Sequence, residues 1–156
     1  MSTEWCPDRT LFPPIVDRRM GTSLALAGAA KEARVARKKV LLADDSNTIL
    51  MMERMLLARE PYELVIAKDG QEAYDLALSS RPDLIVLDVI MPKLTGFEVC
   101  RKLRDHELTR STPIVLVTTR GESDNVEKGY EAGCTDYITK PINGAEFLSK
   151  LRDHLA

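Results

Sequence analysis

The stretch KKVLLADDSNTIL, residues 38–50, decides the fold because its character changes twice within a few residues. Two lysines lead into the apolar run VLLA, and this run stops at two adjacent carboxylates, Asp44 and Asp45. A short continuous apolar run is typical of a strand that is buried on both faces of a sheet. Two neighbouring carboxylates repel each other, and each resists ionisation beside the other. We therefore expect a positive charge from elsewhere in the chain to compensate them.

The same succession of an apolar run and an amphipathic segment occurs five times after residue 39. The apolar runs predict strands over residues 40–44, 62–67, 84–89, 114–119 and 136–139. The segments between them predict helices over residues 46–60, 69–80, 95–106, 122–133 and 143–156. Such an alternation predicts an α/β fold, in which helices cover both faces of a five-stranded parallel sheet.

Residue spacing also indicates how some helices begin and end, and which sides of two helices face the core. Asp69 and Asn143 each precede a helix and are followed three residues later by a glutamate, which is the arrangement of a capping box. Gly133 suits the C-terminal turn of the fourth helix. In the first helix, the positions predicted to face the core are Ile49, Met52 and Leu56. In the last helix, they are Phe147, Leu151 and Leu155.

Composition and charge limit the classes of function. The chain has 156 residues and a net charge of −2, which does not indicate direct binding of nucleic acid. Its three cysteines are widely spaced and form no CxxC pattern, so we predict reduced thiols rather than a disulfide framework or a zinc site. No apolar run reaches the roughly 18 residues that a membrane span needs. These features predict a cytoplasmic protein that does not bind a membrane.

Residues 1–38 differ from the regular remainder of the chain. Residues 6–19, CPDRTLFPPIVDRR, contain three prolines and no periodic pattern. Residues 1–39 carry eight Lys or Arg and four Asp or Glu, a charge of +4, which leaves −6 for the rest because the total is −2. We predict a flexible, basic N-terminal extension over residues 1–38 and one folded domain over residues 39–156. Translation could also begin at Met20.

Polar side chains stand at the carboxyl ends of four of the five predicted strands. They are Asp44 and Asp45 after the first strand, Asp88 in the third, Thr118 in the fourth and Lys140 after the fifth. In an open parallel sheet these strand ends form the site-bearing edge. Carboxylate oxygens suit Mg²⁺, and carboxylates with Mg²⁺, a lysine and a hydroxyl suit phosphoryl transfer, in which an aspartate can be the nucleophile. Any one of these aspartates could simply cap a helix, but their joint placement favours a site.

The segments VLLADDS, LIVLDVIMPKLTG, PIVLVTT and DYITKPI together closely resemble the receiver domain of bacterial two-component response regulators. The resemblance covers residues 38–156, and the acidic pair, the central aspartate, the threonine and the Lys-Pro pair occur in the family's order. It implies the flavodoxin-like (βα)5 receiver fold. It also implies a stand-alone, chemotaxis-regulator-like switch, which is a phosphoacceptor with self-catalysed phosphorylation and dephosphorylation rather than an enzyme.

The resemblance assigns roles around a magnesium ion. Asp88 corresponds to the phosphoacceptor, and Asp45 to the direct Mg²⁺ ligand. Asp44 would contact the ion through water, and the backbone carbonyl of Ile90 would be a further ligand. Mg²⁺ is therefore the expected cofactor.

The resemblance also assigns the residues of the switch. Lys140 would pair with phosphoryl oxygens, and its bond to Pro141 would be cis. Thr118 corresponds to the hydroxyl that moves toward the phosphoryl group, and Tyr137 to the aromatic residue that turns inward with it. The surface that changes would be formed by the fourth helix, the fifth strand and the fifth helix.

Expected partners are a sensor histidine kinase or a histidine phosphotransfer protein and a downstream protein target, and phosphorylation could drive formation of a homodimer. A receiver fragment of a larger hybrid or phosphorelay protein is an alternative. A haloacid-dehalogenase-type phosphatase is less consistent, because Ile90 stands where its DxD pattern needs a second acid. A flavin-binding domain on the same sheet would need a Gly-rich phosphate loop where this chain has DDSNT.

Overall fold

The computed structural model describes residues 37–119 and 123–156, which contain five strands and five helices in strict alternation. The strands are β1 Lys38–Ala43, β2 Tyr62–Ala67, β3 Leu84–Asp88, β4 Ile114–Thr119 and β5 Asp136–Lys140. The helices are α1 Asn47–Leu56, α2 Gly70–Ser80, α3 Gly96–Asp105, α4 Ser123–Ala132 and α5 Gly144–Leu155. The predicted N-terminal extension falls, up to residue 36, outside the described residues.

The five strands form one parallel sheet in the order β2-β1-β3-β4-β5, as the alternation of elements predicts. The three inner strands carry apolar side chains that are fully buried, because helices cover both faces. Side chains of α2 and α3 pack on one face of the sheet, and those of α1 and α5 pack on the other. This arrangement brings the carboxyl ends of the four strands with polar terminal residues to one edge.

Several helix boundaries are set by local hydrogen bonds and turns that the sequence predicted. The Asp69 carboxylate accepts a hydrogen bond from the Glu72 amide at 2.7 Å, and the Asn143 side chain accepts one from the Glu146 amide at 2.9 Å. Both residues are therefore confirmed as N-caps, but neither shows the return bond from the glutamate to the N-cap amide that completes a capping box. Gly133 follows α4 with a φ of +103°, which confirms its predicted place in the C-terminal turn. The predicted buried stripe of α5, Phe147, Leu151 and Leu155, is also confirmed.

The prediction for the core-facing side of α1 is wrong for two of its three residues, Ile49 and Met52. The buried residues of this segment are Leu50, Glu53 and Leu57. Of the predicted residues, Ile49 and Met52 are only half-buried, and Leu56 packs at the margin of the core. The reason is that α1 carries apolar residues on nearly every side, so their periodicity does not fix its rotation. Its rotation instead places an acidic residue, Glu53, in the centre of the face that contacts the sheet.

Arg104, at the end of α3, connects three segments on the opposite edge of the fold. Its guanidinium donates to the backbone carbonyls of Gly133 and Thr112 at 2.7 and 2.6 Å and to the side chain of Thr135 at 3.1 Å. Two further carbonyls, those of Thr109 and Arg110, lie 3.1 Å from the same guanidinium. A planar group with five donors can satisfy such a set, whereas a lysine cannot.

Replacing Arg104 by Ala is expected to lower the free energy of unfolding by about 2 to 3 kcal/mol, because it leaves several partly buried carbonyls without a donor. Urea denaturation followed by circular dichroism measures this change. Arg101→Ala, at an exposed position of the same helix, is the control and should change stability by less than about 0.5 kcal/mol. Equal losses in the two variants would contradict the structural role of Arg104.

Candidate functional site

The carboxyl edge of the sheet brings three aspartates together. Asp44 and Asp45 follow β1, and Asp88 ends the neighbouring strand β3. One carboxylate oxygen from each lies within 4.8 Å of the other two. Asp44 and Asp88 are almost completely buried, whereas Asp45 is exposed. The prediction that these three side chains converge is therefore correct, and Asp45 forms the solvent-facing side of the cluster.

Lys140 supplies the positive charge that the acidic pair needs. Its ammonium nitrogen lies 3.1 Å from Oδ1 of Asp88 and 3.4 Å from Oδ2 of Asp44. The lysine reaches these carboxylates because β5 ends at the same edge of the sheet, and the Lys140–Pro141 bond is cis, as expected. Asp44 has a second partner, because its Oδ1 accepts the Ser46 amide at 2.8 Å. The lysine therefore bridges two buried carboxylates that would otherwise repel each other.

The aspartates resist ionisation despite this bridge. Burial, followed by the charge of Asp44, raises the pKa of Asp88 to about 6. Burial also raises the pKa of Asp44, although the Ser46 amide and Lys140 oppose this effect. The attraction of Lys140 therefore does not fully offset the cost of placing these two carboxylates in the interior. An additional positive charge close to these carboxylates would therefore be favourable.

The donor set fits a magnesium ion. Three carboxylates offer oxygen ligands within reach of one another, and two of them already have raised pKa values that a cation would lower. Mg²⁺ prefers such oxygen ligands and uses few carboxylates, since it keeps several waters. Ile90, two residues after Asp88, is in the loop that follows β3 and has an exposed side chain.

The two residues predicted to form the switch lie on neighbouring strands. Thr118, near the end of β4, is buried, and its hydroxyl has no hydrogen-bond partner among the described atoms. Tyr137 is half-buried on β5 and pairs with Leu116, two residues before Thr118. The Tyr137 ring meets the Tyr130 ring edge-on at 5.9 Å. Thr118 follows directly after the residue that pairs with Asp88, and the tyrosine packs toward α4.

Glu53 is a buried acid near this site that the sequence analysis did not single out. It is only 2% exposed, and its Oε2 atom has no hydrogen-bond partner in the part of the chain that is described. Burial, then the charge of Asp44, raises its pKa to about 8, with Lys140 opposing and Asp88 adding to the effect. The available signal was its spacing of three and four residues from Leu50 and Leu57, both apolar.

Comparison with known proteins gives one consistent result. The family model described as response regulator receiver domain matches residues 40–152. The transcriptional regulatory protein SrrA of Staphylococcus aureus is 38% identical over 114 residues, which are 73% of this chain and 46% of that protein. The chain thus spans about half the length of the curated relatives it matches. Among the described residues, none of the helices has the length and apolar character needed to cross a membrane.

Solved structures agree with the sequence comparison. The chemotaxis protein CheY4 of Vibrio cholerae superimposes with a TM-score of 0.72 at 37% identity, and the match covers 77% of this chain and 100% of that one. The receiver domain of the sensor histidine kinase PA1611 of Pseudomonas aeruginosa has a TM-score of 0.71 at 28% identity, covering 77% of this chain and 98% of that one. That structure holds a magnesium ion in its active site cleft.

Proposed function

Because this chain belongs to the family of response regulator receiver domains, we propose that it is a signalling switch in which Asp88 accepts a phosphoryl group. The observation that carries the proposal is the position of Asp88, a buried carboxylate 3.1 Å from the Lys140 ammonium and grouped with Asp44 and Asp45. The donor would be a phosphohistidine on a sensor histidine kinase or on a histidine phosphotransfer protein. The switch would act in the cytoplasm.

The residues of the site suit this transfer. An oxygen of the Asp88 carboxylate attacks phosphorus, the bond from phosphorus to the histidine nitrogen breaks, and its electron pair stays on that nitrogen. Lys140 stabilises the negative charge that develops on the phosphoryl oxygens. Asp45 and the Ile90 carbonyl would hold Mg²⁺ together with Asp88, and Asp44 would do so through water. When bound, the ion supplies further neutralisation of charge.

Transfer of the phosphoryl group would change the surface on the β5 side of the sheet. The aspartyl phosphate adds negative charge and acceptor oxygens. The buried Thr118 hydroxyl, which has no partner among the described atoms, is suited to donate to them. Its movement would let Tyr137 turn inward and would alter the surface of α4, β5 and α5, which would bind a downstream protein or a second copy of the chain.

A small phosphodonor tests the proposal directly. We expect incubation with acetyl phosphate and Mg²⁺ to add the mass of one phosphoryl group to the intact protein. Chelation of the metal with EDTA should prevent the addition. Reduction with borohydride followed by peptide mapping should place the acyl phosphate at Asp88. A mass increase that survives EDTA, or a label on another residue, would contradict the proposed function.

A further inference from the structure

Glu53 has a position that packing alone does not explain. It lies in the middle of α1 on the side that contacts the sheet, between Leu50 and Leu57, which belong to the apolar cluster of this face. Its Oε2 atom is buried and lacks a hydrogen-bond partner among the described residues. A carboxyl group in such a place weakens the fold unless a partner is provided, and an apolar residue would fit the surroundings better.

The charges that act on Glu53 are those of the phosphoryl site. Asp44 and Asp88 repel its carboxylate and Lys140 attracts it, and these groups lie at the carboxyl ends of three different strands, β1, β3 and β5. Each of these three groups comes two residues after a member of the apolar cluster that α1 covers, so the alternation of side chains along a strand places all three on the same side of the sheet as Glu53. Glu53 is therefore a further carboxyl group whose ionisation responds to both Asp88 and Lys140.

Lys140 and a bound divalent cation would compete for the same carboxylate oxygens, and Glu53 offers the lysine another partner. Its ammonium contacts Oδ1 of Asp88 and Oδ2 of Asp44, which belong to the carboxylates that would surround a divalent cation. A cation and an ammonium cannot both lie close to the same oxygens without repulsion. The lysine side chain has a flexible four-carbon stem, so its ammonium can exchange one carboxylate partner for another.

We propose that Glu53 is a positioning residue for Lys140, whose ammonium turns to the Glu53 carboxyl group when a divalent cation occupies the oxygens of Asp44, Asp45 and Asp88. This inference rests on the proposed function, because it assumes that the acidic cluster binds the cation. Glu53 would then keep Lys140 inside the site, ready to meet an incoming phosphoryl group. The raised pKa of Glu53 agrees with this role, since a carboxyl group that keeps its proton until positive charge arrives adds no repulsion to the empty cluster.

Titration with Mg²⁺ of the full-length chain and its variants tests the inference. Calorimetry should show that Glu53→Leu binds Mg²⁺ about tenfold more weakly than wild type, because Lys140 then competes with the ion for Asp44 and Asp88. Glu53→Gln keeps an acceptor oxygen without the charge and should fall between the two. The control is Glu63→Gln at an exposed position on β2, which should bind Mg²⁺ like wild type.

A second readout separates positioning from packing. In wild type, Mg²⁺ should shift the ¹H–¹⁵N resonance of the Lys140 ammonium, assigned by its absence in Lys140→Arg, and this shift should be lost in Glu53→Leu. The same variant should have a higher urea midpoint, because it removes a buried carboxyl group whose Oε2 atom lacks a hydrogen-bond partner among the described residues. Weaker metal binding could then not reflect a damaged fold. The inference would be overturned if Glu53→Leu bound Mg²⁺ as tightly as wild type. It would also be overturned if wild type bound Mg²⁺ without a shift of the Lys140 resonance. Either result would leave the proposed metal site standing. A wild-type protein that binds no Mg²⁺ would overturn the proposed metal site as well.

Discussion

Replacing Asp88 by Asn is expected to abolish phosphoryl uptake completely while leaving the fold intact. The amide of asparagine is not a nucleophile toward phosphorus, and no other carboxylate of the cluster has the same surroundings, because Asp44 already accepts the Ser46 amide and Asp45 is exposed. Intact-mass measurement after incubation with acetyl phosphate and Mg²⁺ gives the result directly. The variant should retain the circular dichroism spectrum of wild type.

The matched control for this experiment is Asp83→Asn. Asp83 immediately precedes the same strand, β3, at its opposite end, and its exposed carboxylate accepts the Lys39 amide at 2.8 Å. This variant should take up one phosphoryl group at the wild-type rate. Equal labelling of the two variants would show that Asp88 is not the acceptor.

The same Asp88→Asn variant should be more stable than wild type at neutral pH in the absence of metal. The pKa of Asp88 is raised to about 6 in the folded protein, so its ionisation weakens the fold, and this loss develops as the pH rises from about 4 to about 6. Asparagine cannot ionise. The gain should therefore be negligible near pH 4 and reach up to about 3 kcal/mol near pH 7. Urea denaturation at the two pH values measures it, and a gain that does not depend on pH would contradict the assigned cause.

The parallel sheet and its site-bearing edge could be predicted because they depend on features that sequence records directly. Continuous apolar runs indicate strands that are buried on both faces, and parallel strands place their carboxyl ends at one edge. Asp44, Asp45, Asp88, Thr118 and Lys140 are therefore brought to one edge by topology alone. Electrostatics predicted that the two adjacent acids need a positive charge nearby. Lys140 provides it, with its ammonium 3.4 Å from Asp44 and 3.1 Å from Asp88.

Other features could not be predicted because they depend on exact rotation or on backbone groups. The segment LMMERML of α1 is apolar on several sides, so its pattern did not show that Glu53, rather than Met52, faces the sheet. Arg104 binds mainly to backbone carbonyls, and these leave no trace in the identity of the residues that supply them. The sequence therefore predicted the polar side chains that the strand order brings together. It did not predict the positions of Glu53 and Arg104, which depend on helix packing and loop conformation.

Replacing Lys140 by Ala is expected to slow phosphoryl uptake by about 100-fold, because the developing charge on the phosphoryl oxygens loses a preorganised donor. The effect is measured as the initial rate of mass increase with acetyl phosphate at saturating Mg²⁺. Lys150→Ala is a closely matched control. Its side chain is 25% exposed, as is that of Lys140, and its ammonium also pairs with an aspartate, Asp136, at 2.9 Å. This control should keep the wild-type rate.

Loss of Lys140 should also make stability more sensitive to pH. The pKa values of Asp44 and Asp88 are raised already, chiefly by burial, and they would rise further without the ammonium that now opposes this effect. Near pH 4 the Asp88 carboxyl of the folded protein is largely protonated, so wild type and Lys140→Ala should differ less there than at neutral pH. Near pH 7.5 the variant should be less stable by about 2 kcal/mol, less than for a fully buried pair because Lys140 is partly exposed. A constant difference across this range, or an uptake rate equal to that of Lys150→Ala, would show that Lys140 is only a surface residue.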